Sequence, residues 1–216
     1  MEFGCALPGE ILPDWTREFG RSAPIELEIG PGHGGFALGH ALAHPERGLV
    51  VIETRRSDCE LIRARAAAKG LTNLAVLHGD AKLLLPHCFA PGTLLAAHVQ
   101  FPDPWWKKRH HKRRMVDAGL AHMLRRLLSP GGAVDFRTDV PAYAREAVAT
   151  WEEAGFVNLD GDGKLWEAAP EVLSTRERRY AETGQPVFRA RFENPPGEPA
   201  PLPQRTGREW MDVRRK

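Results

Sequence analysis

Residues 101–114, FPDPWWKKRHHKRR, place one carboxylate, two indoles and a dense cationic run side by side. Within it, Lys107 to Arg114 hold six Lys or Arg and two His in eight positions. Cations at that density displace condensed counterions from a nucleic-acid backbone, although a solvated surface loop has the same composition. The residues upstream favour a site. Leu94 to Gln100 (LLAAHVQ) is mostly apolar and predicts a buried strand. Pro102 and Pro104 end it, since neither has an N–H to donate. Asp103 is thereby fixed just past the carboxyl end of a strand, where open α/β sheets bind ligands. The chemistry implied is a reaction centre beside a nucleic-acid dock.

Three further acids share that setting. Glu28 lies in IELEIG two residues before its closing glycine, Glu53 closes GLVVIE, and Asp80 follows the strand 73–78. Gly30, Gly32 and Gly35 satisfy G-x-G-x-x-G. That spacing fits a nicotinamide dinucleotide fold with Glu53 on a ribose. Glu28, two residues before the first glycine, would repel the pyrophosphate such a fold must hold. Four acids around one nucleotide cleft instead suit a cationic ligand without phosphates, S-adenosylmethionine. Glu53 can accept two ribose hydroxyls and Asp80 the adenine amino group. The alternative for any one of these acids is a helix cap or a solvated loop residue, a reading that four acids at successive strand ends disfavour. No Lys-Ser/Thr follows the glycines, so a P-loop is excluded.

These residues need a scaffold of alternating elements. Strands are predicted at 25–30, 48–53, 73–78, 94–100, 133–139 and 156–159, with a last one at 186–192. Within 31–45 a Gly-rich turn feeds a helix that stops before Pro45, and further helices are predicted over 58–69 with Ser57 as N-cap and Gly70 as stop, over 117–128, and from Pro141 to Gly155. Regular alternation implies a mostly parallel, doubly wound sheet. Residues 1–22 read as an N-terminal arm, with Trp15 and Phe19 packing on the domain. Residues 23–193 form the main domain, and 194–216 a Pro-rich, basic tail.

The formal net charge is only +2, and removing the six cations of 107–114 leaves 24 cationic against 28 acidic residues. Positive charge is therefore local, as a site requires. Cys5, Cys59 and Cys88 have no metal-binding spacing and read as reduced thiols of a cytoplasmic protein. No metal is implied. The N-terminus lacks a secretory pattern, and no apolar stretch approaches the roughly 18–20 residues that span a bilayer.

E-I-G-P-G-H-G, the strand-ending Glu53 and above all F-P-D-P-W-x-K-K-R-H-x-K-R-R resemble the bacterial tRNA (guanine-N7)-methyltransferase family. The resemblance continues through Thr138-Asp139 and S-x-x-E-x-R-Y-x-x-x-G-x-P-V (174–187), covering about residues 25–193. It implies a Rossmann-like S-adenosylmethionine-dependent methyltransferase fold: a mostly parallel seven-stranded sheet with an antiparallel last strand. It also implies methyl transfer to N7 of a guanine in the tRNA variable loop. Glu28, Gly30, Gly32, Glu53, Asp80 and Asp103 match cofactor positions, and Asp103 also matches the catalytic aspartate. Lys107, Asp139, Ser174, Thr175, Arg176 and Glu177 match positions that contact tRNA. Pro31, His33 and Trp106 depart from the usual pattern, Ser174 replaces Thr, and Arg176 stands where an aromatic residue is usual.

Trp105 and Trp106 are candidate stacking groups, with core packing as the alternative for each. His110 and His111 are expected to add phosphate donors. Asp139, on the same sheet face as Asp103, is expected to help position the target base, or else to cap the following helix. Ser174 and Glu177 also have capping-box spacing. A nicotinamide-dependent oxidoreductase and a non-catalytic RNA-binding scaffold are the rival functions; the oligomeric state, monomer or homodimer, is open.

Overall fold

The computed structural model describes residues 12–106, 108–166 and 170–197, without the side chains of Lys108, His111 and Lys112. Lys107, the outer part of the N-terminal arm and most of the Pro-rich tail lie outside the described residues.

Seven strands form one sheet: β1 (Ile25–Ile29), β2 (Gly48–Glu53), β3 (Leu74–His78), β4 (Leu94–Gln100), β5 (Leu128–Thr138), β6 (Val157–Asn158) and β7 (Phe188–Glu193). Their order is β3-β2-β1-β4-β5-β7-β6. The first five are parallel, and β7 runs antiparallel to both β5 and β6. The strand order reverses between β1 and β4, which opens a crevice at their carboxyl ends.

Helices α1 (Trp15–Glu18), α2 (Gly35–Ala43), α3 (Arg56–Ala68), α4 (Ala81–Cys88), α5 (Ala118–Leu127), α6 (Pro141–Glu153) and α7 (Thr175–Thr183) complete the fold. Leu85, Leu120, Leu124, Tyr143 and Trp151 pack with Leu27, Val50, Ala97, Val99 and Phe136 in one large apolar core. A smaller cluster of Ala37, Cys59 and Ile62 covers Leu49, Val51 and Val76 on the opposite face. Phe19 enters the large core, and Trp15 stacks on Phe89 at 5.5 Å while its indole N–H donates to the Cys88 carbonyl at 2.9 Å.

Four local expectations change. Helix α3 begins at Arg56 with Arg55 at its N-cap, so Ser57 lies inside the first turn and caps nothing. Helix α4 was not foreseen: it is short, and Pro86 lies within it. The 129–132 turn sequence, Ser-Pro-Gly-Gly, is already part of β5, which starts at Leu128 and pairs with β4 through a register shift. The sixth strand shrinks to Val157–Asn158.

The alternation of β1 does not separate a buried face from a wet one. All five of its residues are buried, Glu26 and Glu28 included. Register aligns Glu28 with His98, His98 with Asp135, and Asp135 with Arg191 across four strands. One step on, Gln100 lies beside Arg137 and Arg137 beside Arg189. A polar layer therefore runs through the sheet face beneath α2 and α7.

Candidate active site and RNA-facing surface

The sheet order sets the candidate acids along one edge as Asp80, Glu53, Glu28, Asp103 and Asp139, each at or near the carboxyl end of its strand. The glycine loop lies among them. Gly30 and Gly32 are left-handed, with φ of 70° and 54°. The Gly32 N–H donates to Glu53 Oε2 at 3.1 Å, and the Arg55 N–H to Glu53 Oε1 at 2.9 Å. Glu53 thus holds the loop that would meet a ribose. Asp80 is exposed and caps α4 by accepting from the Lys82 N–H at 2.8 Å. The capping role is real here, and it also fixes the carboxylate at the rim.

Glu28 is only 2% exposed, and its Oε2 has no hydrogen-bond partner among the described residues. Burial pushes its carboxyl up to about 8, against the pull of His98 and Arg137 nearby. A buried acid left with an open acceptor beside the glycine loop fits a ligand that brings a cationic donor. It does not fit a pyrophosphate.

A charge cluster underlies this cleft. Glu26 Oε2 accepts from His40 Nε2 at 2.5 Å and from His98 Nε2 at 3.0 Å, while Arg47 donates to Oε1 at 2.6 Å. Burial would raise Glu26, but the hydrogen bonds and charge of the two histidines hold it far below the carboxylate range. Burial would likewise lower His98; the carboxylates of Asp135 and Glu26 overcome that and push it up to about 9. The His98 Nδ1 to Asp135 Oδ2 distance of 3.7 Å makes that contact a charge attraction and not a hydrogen bond. The Glu26, His40 and His98 donor atoms lie within 4.8 Å of one another, a grouping the sequence did not suggest. With Arg47 on the same carboxylate, it functions as an ionic core.

That core extends to α7. Arg137 pairs with Asp135 and donates to Glu177 Oε2 at 2.7 Å; Arg189 donates to Glu177 Oε1 at 3.0 Å. The Ser174–Glu177 capping box is complete, at 3.2 Å from the Glu177 N–H to Ser174 Oγ and 3.0 Å from the Ser174 N–H to Glu177 Oε2. Glu177, one of the residues expected to contact tRNA, is buried, and its carboxylate is engaged by two guanidiniums and the cap. Ser174 is buried too, its hydroxyl taken by the cap. Thr175 and Arg176 remain exposed. Thr175 lies directly over Gly35, whose missing Cβ makes room for it. This docks the 174–177 segment on the start of α2.

Asp103 is exposed between two strained residues. Phe101 and Trp105 have φ of 49° and 44°, a region L-residues rarely adopt. Neighbours hold both. The Phe101 N–H donates to the Arg137 carbonyl at 2.7 Å, and its ring meets the edge of Tyr180 with centroids 6.1 Å apart. The Arg176 guanidinium lies over the Phe101 ring at 5.3 Å. Trp105 carries the Arg113 guanidinium at 5.1 Å and packs edge-on against His110. Arg114 donates to the Pro104 carbonyl at 2.8 Å and pairs with Glu146. Trp105 is therefore a brace, His110 leans on it, and Arg114 is an anchor of the loop. Trp106, in contrast, is 71% exposed. Residues Lys108–Arg113 form a 3-10 turn that follows the Asp103 loop in the chain, with Arg109 exposed on it.

Asp139 does not cap α6. Val140 is the N-cap, without a side-chain cap, and its N–H goes to Thr138 Oγ1 at 3.2 Å. The Asp139 carboxylate instead accepts from the Tyr180 hydroxyl at 2.6 Å. Sequence reasoning missed the Tyr180–Asp139 hydrogen bond and the Arg137–Glu177 pair.

Comparison with known proteins agrees with this geometry. The methyltransferase family model Methyltransf_4 matches residues 22–190. A tRNA (guanine-N(7)-)-methyltransferase of Anaeromyxobacter dehalogenans is 58% identical over 185 residues, 85% of this chain and 92% of that protein. One from Myxococcus xanthus is 46% identical over 187 residues, 86% of this chain and 91% of that protein. The crystal structure of the 16S rRNA methyltransferase KamB superposes with a TM-score of 0.62 at 20% identity, covering 87% of this chain and 96% of that one, which shows a shared fold. The match spans every strand-end acid and the basic run, and the chain belongs to the tRNA (guanine-N(7)-)-methyltransferase family.

Proposed function

We propose that this protein transfers the methyl group of S-adenosylmethionine to N7 of a guanine in the variable loop of tRNA, in the cytoplasm. The observation that carries the reading is the 58% identity to a tRNA (guanine-N(7)-)-methyltransferase over 92% of that relative's length. The cleft suits the cofactor: Glu53 faces the ribose, Asp80 the adenine rim, and Glu28 the cationic end. When bound, S-adenosylmethionine supplies an electrophilic methyl; the N7 lone pair forms the new N–C bond while the C–S electrons return to sulfur.

N7 bears no proton, so the protein needs no general base before transfer. Its work is alignment and electrostatics. Asp103, held at the mouth by the braced loop, sits where positive charge develops on the purine, or where the guanine N1–H and amine can donate to it. Asp139 sits beside it as a second acceptor. N7 must be exposed for attack, so the base is turned toward the cleft. RNA is then held by phosphate contacts and stacking. Arg109, Lys107 and the 3-10 turn supply cations, Trp106 an exposed π-face, and Thr175 and Arg176 a second edge.

Incubation with labelled S-adenosylmethionine and unmodified bulk tRNA, followed by nucleoside analysis, tests the whole reading. Label in 7-methylguanosine is the expected result. No incorporation by folded protein that binds the cofactor would favour a non-catalytic RNA-binding role.

A further inference from the structure

Gln100 is the last residue of β4 and only 7% exposed, yet neither its Oε1 nor its Nε2 has a hydrogen-bond partner among the described residues. An amide buried with both ends open loses its water without compensation, and native proteins carry few such groups. Its position gives the reason. His98 is the register partner of Glu28, so Gln100, two residues further on, emerges on the same sheet face, one step nearer the carboxyl edge. The strand order reverses between β1 and β4, so Glu28 and Gln100 flank the crevice from its two sides. Arg137, beside Gln100 on β5, is already committed to Asp135, Glu177 and the Val172 carbonyl. His98 donates to Glu26. Among the described residues, the open side-chain atoms of Glu28, His98 and Gln100 are Glu28 Oε2, His98 Nδ1 and the two ends of the Gln100 amide. His98 Nδ1 has Asp135 Oδ2 at 3.7 Å on the β5 side, which leaves Glu28 Oε2 and the Gln100 amide to a ligand.

We infer that Gln100 is a cofactor-binding residue that, with Glu28, takes the zwitterionic amino-acid end of S-adenosylmethionine. Glu28 Oε2 and Gln100 Oε1 are two acceptors for an α-ammonium, and Gln100 Nε2 is a donor for an α-carboxylate. A carboxylate pair could not serve the second group, and an arginine would repel the first. The other ligand parts have partners elsewhere along the edge: Glu53 and Asp80 lie toward β2 and β3, and Asp103 is exposed at the mouth. The inference rests on reading this cleft as the S-adenosylmethionine site.

The test uses two ligands that differ at the proposed contact. S-adenosylhomocysteine carries the amino-acid end; 5′-methylthioadenosine lacks it. Gln100→Met keeps the volume and removes the amide. The expected result is a loss of about tenfold or more in S-adenosylhomocysteine affinity, the equivalent of roughly 1.4 kcal/mol. Affinity for 5′-methylthioadenosine stays unchanged, and the melting temperature of the ligand-free protein stays level or rises. That last sign separates the two roles: an amide that served the fold would lower the melting temperature when removed. Gln100→Asn, which retains the amide and shortens its reach, is expected to give an intermediate loss. Unchanged S-adenosylhomocysteine affinity in both variants overturns the inference, as does an equal loss for both ligands with a lowered melting temperature. Loss confined to the tRNA KM also overturns it, and would assign Gln100 to the acceptor guanine. Glu28→Gln serves as a separate arm. If it binds S-adenosylhomocysteine like the wild type while Gln100→Met does not, the reading of Glu28 fails and that of Gln100 stands.

Discussion

The Tyr180 hydroxyl donates to Asp139 Oδ2 at 2.6 Å, joining α7 to the carboxyl end of β5. The same ring meets Phe101 at the root of the Asp103 loop. One side chain thus ties together the two acids assigned to the target base and the helix that opens with the 174–177 segment. Tyr180→Phe removes the hydrogen bond and keeps the ring. A hydrogen bond to a charged group is worth about 1.5–3 kcal/mol. The expected outcome is a fall of about tenfold in kcat/KM for tRNA, with cofactor affinity unchanged. In an Asp139→Ala background, where no acceptor remains, the same change should cost nothing further. Independent, multiplying losses would show that Tyr180 does not act through Asp139.

Asp103 is expected to matter for transfer and little for docking. It is exposed, and its loop is held by Phe101 through its N–H to the Arg137 carbonyl, by Trp105 beneath Arg113, and by Arg114 on the Pro104 carbonyl. Asp103→Ala should therefore fold normally and bind tRNA, while single-turnover methyl transfer is abolished. Near-normal turnover would remove Asp103 from the chemistry.

Much of this was readable because it is written locally. A strand that ends in an acid, a glycine-rich turn or a capping-box pair needs only a few adjacent residues. IELEI misleads because alternation ordinarily signals a wet face, and here Glu26 and Glu28 are both buried, Glu26 among His40, Arg47 and His98, partners set 14, 21 and 72 residues away. Gln100 reads as the end of an apolar strand, and only tertiary packing shows that its amide is open. Arg114 was counted with the phosphate-binding run because charge in a run looks uniform. Its contacts to Pro104 and Glu146 lie 10 and 32 residues away. Helix α4 was hidden by Pro86, which breaks helical pattern in sequence but is accommodated in so short a helix.

The basic run therefore divides in two. Arg114→Ala should lower the melting temperature, because it frees the Pro104 carbonyl and Glu146 and uncovers the Tyr143 ring over which Arg114 stacks at 4.8 Å. Arg109 is exposed, and Arg109→Ala should leave stability alone and weaken tRNA binding. Its signature is a salt dependence of log K shallower by about one unit for a lost phosphate contact. A salt slope unchanged by Arg109→Ala would make that position part of a solvated face.

Gly35 tests the docking of α7 on α2. A Cβ there would meet the Thr175 hydroxyl, with Thr175 Cβ at 3.0 Å and its backbone nitrogen at 3.1 Å. Gly35→Ala should push the 174–177 segment off its seat and raise the tRNA KM. Because the nearest clashing atom is the hydroxyl, adding Thr175→Ala should restore part of the loss. No recovery would mean the damage lies in the glycine loop.

Glu28 and His98 give the site a pH signature whose sign is fixed by their shifts. Glu28 is pushed up to about 8 from an ordinary value of about 4.3, so between those limits the folded protein holds a proton the unfolded chain has lost. His98, pushed up to about 9 from about 6.5, does the same in the higher window. Where the folded state binds more protons, stability falls as pH rises. The Glu28 contribution is complete below about pH 4 and lost by about 8; that of His98 is complete below about 6.5 and lost by about 9. Glu28→Gln should flatten the decline between pH 5 and 8 and leave the upper part to His98. Binding supplies the complementary test. If Glu28 meets an ammonium it must ionise, so at pH 7 S-adenosylhomocysteine binding should release close to one proton. Calorimetry in phosphate and in Tris buffers measures that release from the difference in observed enthalpy. The difference should shrink in Glu28→Gln; equal enthalpies in the two buffers for the wild type would mean that Glu28 does not receive the cationic end of the cofactor.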